Sequence, residues 1–279
     1  MSRRLPELRA RRLLRKRLRV RPVPSARPAT GAENAYRAFL LRVVRALQGQ
    51  VVQRILPLVR GEVAEQEASY RADAPRDVKR QVELLKVSWS NGVTIGGLGD
   101  KVADFGRRTA AFQGSELQRQ IQAGLGIEVP LDDPRFGERL RTWVGENVGL
   151  IKSIGDDMLG EVEKLVTSGV TAGRRWEGIA KDVRKRFGVS EARARLIARD
   201  QVGKFYGQVQ RARQENLGVT SYLWDTAGDE RVREEHRVRA GQRFFWNDPP
   251  EDGHPGFPIN CRCTAKPDLA ALLKRLEAR

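Results

Sequence analysis

His236, His254, Cys261 and Cys263 are the chain's only histidines and cysteines, and all four fall within 28 residues near the C-terminus. These are the residue types that bind zinc. In a strand over residues 260–265, Cys261 and Cys263 project from one face, because side chains alternate, and Arg262 points to the other. Pro255, Gly256 and Pro258 allow the chain to fold back and bring His254 close. Two cysteines and two histidines complete a closed, tetrahedral, structural zinc site. The surrounding segment is poor in apolar residues, so a metal can supply folding energy that a core does not. The single residue between the cysteines is tighter than the usual gap of roughly two to four.

Other readings of the same residues stay open. Cys261 and Cys263 can be small buried hydrophobes, and His236 a surface residue of the charged turn 231–239. A Cys261–Cys263 disulfide is badly strained at this separation. A catalytic reading pairs His236 with Asp229 or Glu235 to activate Cys261 or a water, or uses His236 and His254 in a metal-dependent nuclease. Against both stands the four-ligand set, which leaves no open metal position and ties up both thiolates. The glycines at 96, 97 and 99 lack the Gly-Lys-Ser/Thr of a phosphate loop and read as a turn.

The elements that must position these residues are mostly helical. Tyr36, Leu40, Val43, Val44, Leu47, Val51, Ile55 and Leu58 recur in steps that place them on one helical face. Pro57 kinks or ends that helix. Helical patterning continues over 62–90, with Val78, Val82, Leu85 and Trp89 in register. Residues 91–99, with four glycines, read as a loop. Helical patterns resume over 100–123 and 136–167, where Ile151, Ile154, Met158, Val162 and Leu165 share a face. A shorter helix near 176–187 stops at Gly188, and Ser190 caps the next, 191–215, which Asn216 and Gly218 end. Strand-like pieces come next at 220–226, 243–246 and 260–265 among many glycines and prolines. The fold class is α+β: a predominantly helical body with a small, loop-rich C-terminal β element and zinc as its candidate clip. The expected organisation is a flexible arm and Pro linker (1–32), a helical domain (33–140), a second domain (141–267) and a terminal helix (268–279).

Charge narrows the class of partner. The 279 residues carry 52 Lys+Arg against 35 Asp+Glu, a net +17. Residues 1–30 hold Arg3, Arg4, Arg9, Arg11, Arg12, Arg15, Lys16, Arg17, Arg19, Arg21 and Arg27 against the single acid Glu7, so +10 of the charge sits there. Arg presents a planar fork of donors matched to phosphate. The arm reads as a nucleic-acid-binding tail, with an acidic protein surface, a transit peptide and a solvated tail as competitors. Pro22, Pro24 and Pro28 give the end of the arm the character of an extended linker. No apolar run approaches the roughly 20 residues of a membrane span. Two cysteines exclude a disulfide-rich secreted scaffold.

Residues 145–267 resemble the phage head morphogenesis family, the minor head proteins similar to protein F of phage Mu. The resemblance lies in residues 146–154 (Glu-Asn-Val-Gly-Leu-Ile-Lys-Ser-Ile), 194–200 (Ala-Arg-Leu-Ile-Ala-Arg-Asp) and 224–236 (Trp-Asp-Thr-Ala-Gly-Asp-Glu-Arg-Val-Arg-Glu-Glu-His). It continues in Gly241 and in 253–263 (Gly-His-Pro-Gly-Phe-Pro-Ile-Asn-Cys-Arg-Cys). It implies that His236, His254, Cys261 and Cys263 are metal ligands. Some members have a cysteine where Arg233 stands here, so the resemblance leaves four candidates. It implies a non-enzymatic minor capsid protein inside the head of a tailed bacteriophage, near the portal vertex, and in the host cytoplasm during assembly. The implied partners are the portal protein and packaged double-stranded DNA, with the major capsid or scaffold protein as further candidates and no membrane. A metal-dependent nuclease or hydrolase and a general DNA-binding protein are the alternatives.

Overall fold

The computed structural model describes residues 19–69, 76–95 and 97–277. Eight of the ten candidate binding residues of the arm, Arg3 to Arg17, lie outside that range; Arg19 and Arg21 lie inside it and are exposed. The described elements are α1 (Thr30–Arg54), α2 (Leu56–Ser69), α3 (Arg76–Ile95), α4 (Leu98–Leu125), α5 (Phe136–Thr171), α6 (Trp176–Leu217), β1 (Ser221–Asp225), α7 (Glu234–Val238), β2 (Arg243–Phe245), β3 (Thr264–Pro267) and α8 (Leu269–Glu277). The protein is predominantly helical with one small antiparallel sheet, as its periodicities predict. Among the described residues no helix is long and apolar enough to cross a membrane.

The chain forms two compact units interleaved in sequence. Among the described residues, one comprises 19–32, 106–140 and 200–277; the other comprises 33–69, 76–95, 97–105 and 141–199. In the second unit the apolar faces meet in one core. Leu47, Val51 and Ile55 pack with Val78, Val82 and Leu85, with Met158, Leu159 and Val162 of α5, and with Ile179 and Val183 of α6. Pro57 separates α1 from α2, since it cannot donate to the helical ladder. Gly155 on α5 faces Trp89 so closely that an added Cβ would overlap the indole ring. The Trp89 indole donates to the Lys152 carbonyl at 3.1 Å. Gly155→Ala must push the indole off that carbonyl, and a loss on the order of 2–3 kcal/mol is expected in urea unfolding. A wild-type midpoint would rule out this packing.

Two expected breaks are absent. Helix α3 runs through Asn91 and Gly92 to Ile95, and the turn is confined to the residues around Gly97, whose φ is 65°. Residues 176–217 are one helix, not two. Gly188 does not stop it, and Ser190 is buried within it instead of capping a new start. A glycine costs a helix about 1 kcal/mol. Packing on both sides of Gly188 exceeds that cost: Val183 is fully buried, Phe187 lies against the core and its carbonyl accepts from Gln48 at 3.2 Å.

In the first unit, Leu117, Ile121, Leu125 and Ile127 pack with Val219, Leu269 and Leu272. The sheet has the order β2-β1-β3, both pairings antiparallel, with Tyr222 opposite Phe244 and Trp224 opposite Ala265. Its inner face carries Tyr222, Trp224, Trp246, Cys263 and Ala265. The outer edge of β3 is closed by α6: Gln214 donates to the Ala265 carbonyl at 2.8 Å, and Gln210 accepts from the Ala265 amide at 3.1 Å. These amide side chains satisfy backbone groups that a neighbouring strand would otherwise take.

The Pro-rich stretch is extended and docked along α4. The Arg21 amide donates to the Gly124 carbonyl, the Pro24 carbonyl accepts from Gln120, and the Ser25 carbonyl accepts from Arg119. Arg27 donates from its backbone and its guanidinium to Glu116, whose side chain is fully buried.

Candidate metal centre

The C-terminal element is folded by tight turns. Asp229 accepts from the Arg231 amide, and the five-residue helix α7 then carries His236 inward. His236 is 2% exposed, so it is not a surface residue of a charged turn. Its ring meets Trp224 edge-on at 5.0 Å.

The cysteines arrive from a loop, not from a strand. β3 begins at Thr264, so Cys261 and Cys263 precede it. Asn260 interrupts the extended run with φ 58°, and its amide is held by Asp200 of α6 at 3.0 Å. Arg233 donates to the Ile259 carbonyl at 2.8 Å. The loop around 253–257 rests on α6 at two glycines. A Cβ on Gly207 would lie 3.0 Å from the Pro255 carbonyl, and one on Gly203 would lie 3.4 Å from the Cys261 carbonyl. Any larger residue at 207 displaces that loop.

Three of the four expected ligands meet. His236 Nδ1 lies 3.6 Å from Cys261 Sγ and 3.5 Å from Cys263 Sγ. All three donor atoms lie within 4.8 Å of one another. In a tetrahedral zinc site with its usual bond lengths, sulfur and nitrogen ligands stand about 3.5 Å apart. The donor set therefore fits zinc in both chemistry and spacing. The Gly256 amide donates to Cys261 Sγ at 3.4 Å. A hydrogen bond from Cys263, helped by the one from Gly256, pushes the Cys261 thiol down to about 6 against the effect of burial. The same pairing, together with burial, pushes Cys263 up.

His254 does not join them. It is buried, its Nδ1 is 2.9 Å from the Tyr222 hydroxyl, and its ring packs edge-on against Trp246 and Phe257. Burial lowers its pKa, so the neutral ring is favoured. The closed site of two cysteines and two histidines is thus replaced by a three-donor cluster, because the Tyr222 hydroxyl and an aromatic surround hold His254 elsewhere.

Asp252, which carried no signal in the sequence, stands behind the cluster. Its carboxylate is 2.7 Å from His236 Nε2 and also pairs with Arg239. Burial raises the Asp252 pKa, but these two partners outweigh it and hold the group below its ordinary value. A carboxylate on the far nitrogen of a ligating imidazole fixes its tautomer and strengthens it as a donor. Asp200, Gly203 and Gly207 also shape the site, and nothing in the spacing of the histidines and cysteines points to them.

The cysteine loop, the His236 turn and the glycine-bearing half of α6 all fall within residues 160–266, which match the family described as Phage Mu protein F like protein. Over residues 160–266 the chain is similar to that family. A protein of Haemophilus influenzae (strain ATCC 51907 / DSM 11121 / KW20 / Rd), named only "Uncharacterized protein", is 33% identical over 169 residues. That similarity covers 59% of this chain and 38% of the relative, so the chain spans well under half of that protein's length. No solved structure matches the chain.

Proposed function

We propose that this protein is a non-enzymatic minor head protein of a tailed bacteriophage that associates with the portal vertex and packaged DNA during head morphogenesis. The observation that carries this reading is the similarity of residues 160–266 to the Mu F-like family. The compact sheet with its three-donor cluster serves as a docking module. Zinc, when bound by His236, Cys261 and Cys263, supplies a cross-link among α7, the cysteine loop and the start of β3. The cavity beside the cluster is about 90 Å³, well below the roughly 300 Å³ at which small-molecule pockets begin. That size argues against turnover of a drug-sized small molecule.

Purified phage heads test the proposal. The protein is expected in few copies and in complex with the portal protein; its absence from particles assembled from the complete gene set would overturn the reading. The arm is tested separately by deleting residues 2–18 only, since residues 21–27 are docked on α4. Each phosphate that the shortened arm no longer neutralises should lower the salt slope of duplex-DNA binding by about 0.9. An unchanged slope would assign the arm to an acidic protein surface instead.

One observation favours a second reading, a metal-dependent hydrolase. Three protein ligands are the pattern of catalytic zinc. Plasmid incubated with the zinc-loaded protein distinguishes the two: an intact plasmid is the expected result. Cleavage that disappears in the Cys261→Ser variant would establish the hydrolase.

A further inference from the structure

The donor set at the cluster has no fourth protein member among the described residues. His254 Nδ1 faces the Tyr222 hydroxyl, and neither nitrogen of that ring belongs to the group of donor atoms that lie within 4.8 Å of one another. The Asp252 carboxylate is committed to the far side of His236 and to Arg239. Arg233 lines the same cavity but has no lone pair to offer. A tetrahedral metal held by His236, Cys261 and Cys263 therefore needs a donor from beyond the described residues.

The structure has room for one. The three ligands share a cavity of about 90 Å³ with Arg231, Val232, Arg233, Ile259, Asn260 and Arg262. A water needs roughly 10–15 Å³ by the same kind of measure, so a ligand of a few atoms fits. The walls indicate its chemistry. Three arginines make the cavity favourable to negative charge. The Asn260 Oδ1 atom is buried with no hydrogen-bond partner. An unpaired buried amide oxygen costs about 1–3 kcal/mol, which a water in the cavity relieves by donating to it.

We propose that the cluster is an open centre whose fourth donor is exogenous: a water, displaceable by a small anion. Asp252 is its positioning residue, holding His236 with Nδ1 toward the sulfurs. This rests on the metal-binding reading above, and one experiment separates the two. The full chain is loaded with cobalt(II), and its thiolate charge-transfer and visible bands are followed as azide is added. One equivalent of cobalt and a saturable shift of the visible bands by azide are expected. His254→Gln should leave the spectrum in place, and Asp252→Asn should weaken cobalt binding about 10–100-fold. Cobalt bands that do not respond to azide, or that vanish in His254→Gln while near-UV circular dichroism remains native, overturn the open position but leave the metal. Failure to bind cobalt or zinc overturns both.

Discussion

Removal of the proposed metal by a chelator, or Cys263→Ser, is expected to melt the C-terminal sheet while most of the helical signal persists. The three strands are only five, three and four residues long. Sheets this small are marginal without further support. The buried cluster on their inner face contains five residues, one of which is Cys263 itself. A metal that binds only the folded state stabilises by about 4 kcal/mol when its concentration is roughly 1,000 times its dissociation constant. Net stabilities of whole domains are only about 5–15 kcal/mol, so losing that amount is a large share of what holds so small an element. Trp224 and Trp246 report the event, because both are buried in the same cluster. Near-UV circular dichroism and tryptophan fluorescence should therefore change at chelator levels that leave the far-UV helix signal nearly intact. Verified metal loss with no change in either probe would show that the sheet stands without its clip.

Acidification should destabilise the first unit between about pH 4.5 and pH 2 through Glu116. Its carboxylate is fully buried and accepts from the Arg27 backbone amide and from the guanidinium groups of Arg27 and Arg119. Burial alone would raise its pKa; the hydrogen bonds from Arg27 and Arg119 outweigh burial and hold it at about 2, below the ordinary 4.5. A depressed carboxylate contributes its full stability above its unfolded pKa and loses it as the pH falls through the folded value. The contribution is on the order of 3 kcal/mol at neutral pH. Glu116→Gln should lower stability at pH 7 and flatten the profile between about pH 4.5 and 2, measured by urea unfolding at each pH. Arg27→Ala should cost less than Glu116→Gln, because the Arg27 side chain is 67% exposed and Arg119 remains as a partner for the carboxylate. A wild-type pH profile in Glu116→Gln would show that this carboxylate does not set the acid stability. The exposed pairs of Glu191 and Asp182 add little, since water screens them.

The same pair explains why the N-terminal segment is more than a tether. In the sequence, Arg27 is one of eleven basic residues in a block, indistinguishable from its neighbours. In the fold it neutralises a buried carboxylate 89 residues away. Patterns that depend on one period were legible: the apolar steps of α1 and of α5 define buried faces because a helix repeats every 3.6 residues. The strands at 221–225 and 243–245 lie within the expected segments. The third was displaced, because Asn260 leaves the extended region to let Asp200 hold its amide. The break expected at Gly188 failed for a related reason: helix-stop signals are weak local preferences, and burial on either side outweighs them.

The candidate centre divides along the same line. Composition and spacing alone determined that any metal bound by histidine and cysteine would sit near the C-terminus, since the chain has no others. They also determined that more than half of the net positive charge sits in the first 30 residues, and they carried the Mu F-like motifs. Only the tertiary structure decided which histidine faces the sulfurs. His236 and His254 are equivalent in a sequence, but a different partner orients each ring. Asp252 turns His236 toward the cysteines, and Tyr222 turns His254 away. Those partners lie 16 and 32 residues from their histidines, distances that no local period spans and that only the folded chain closes.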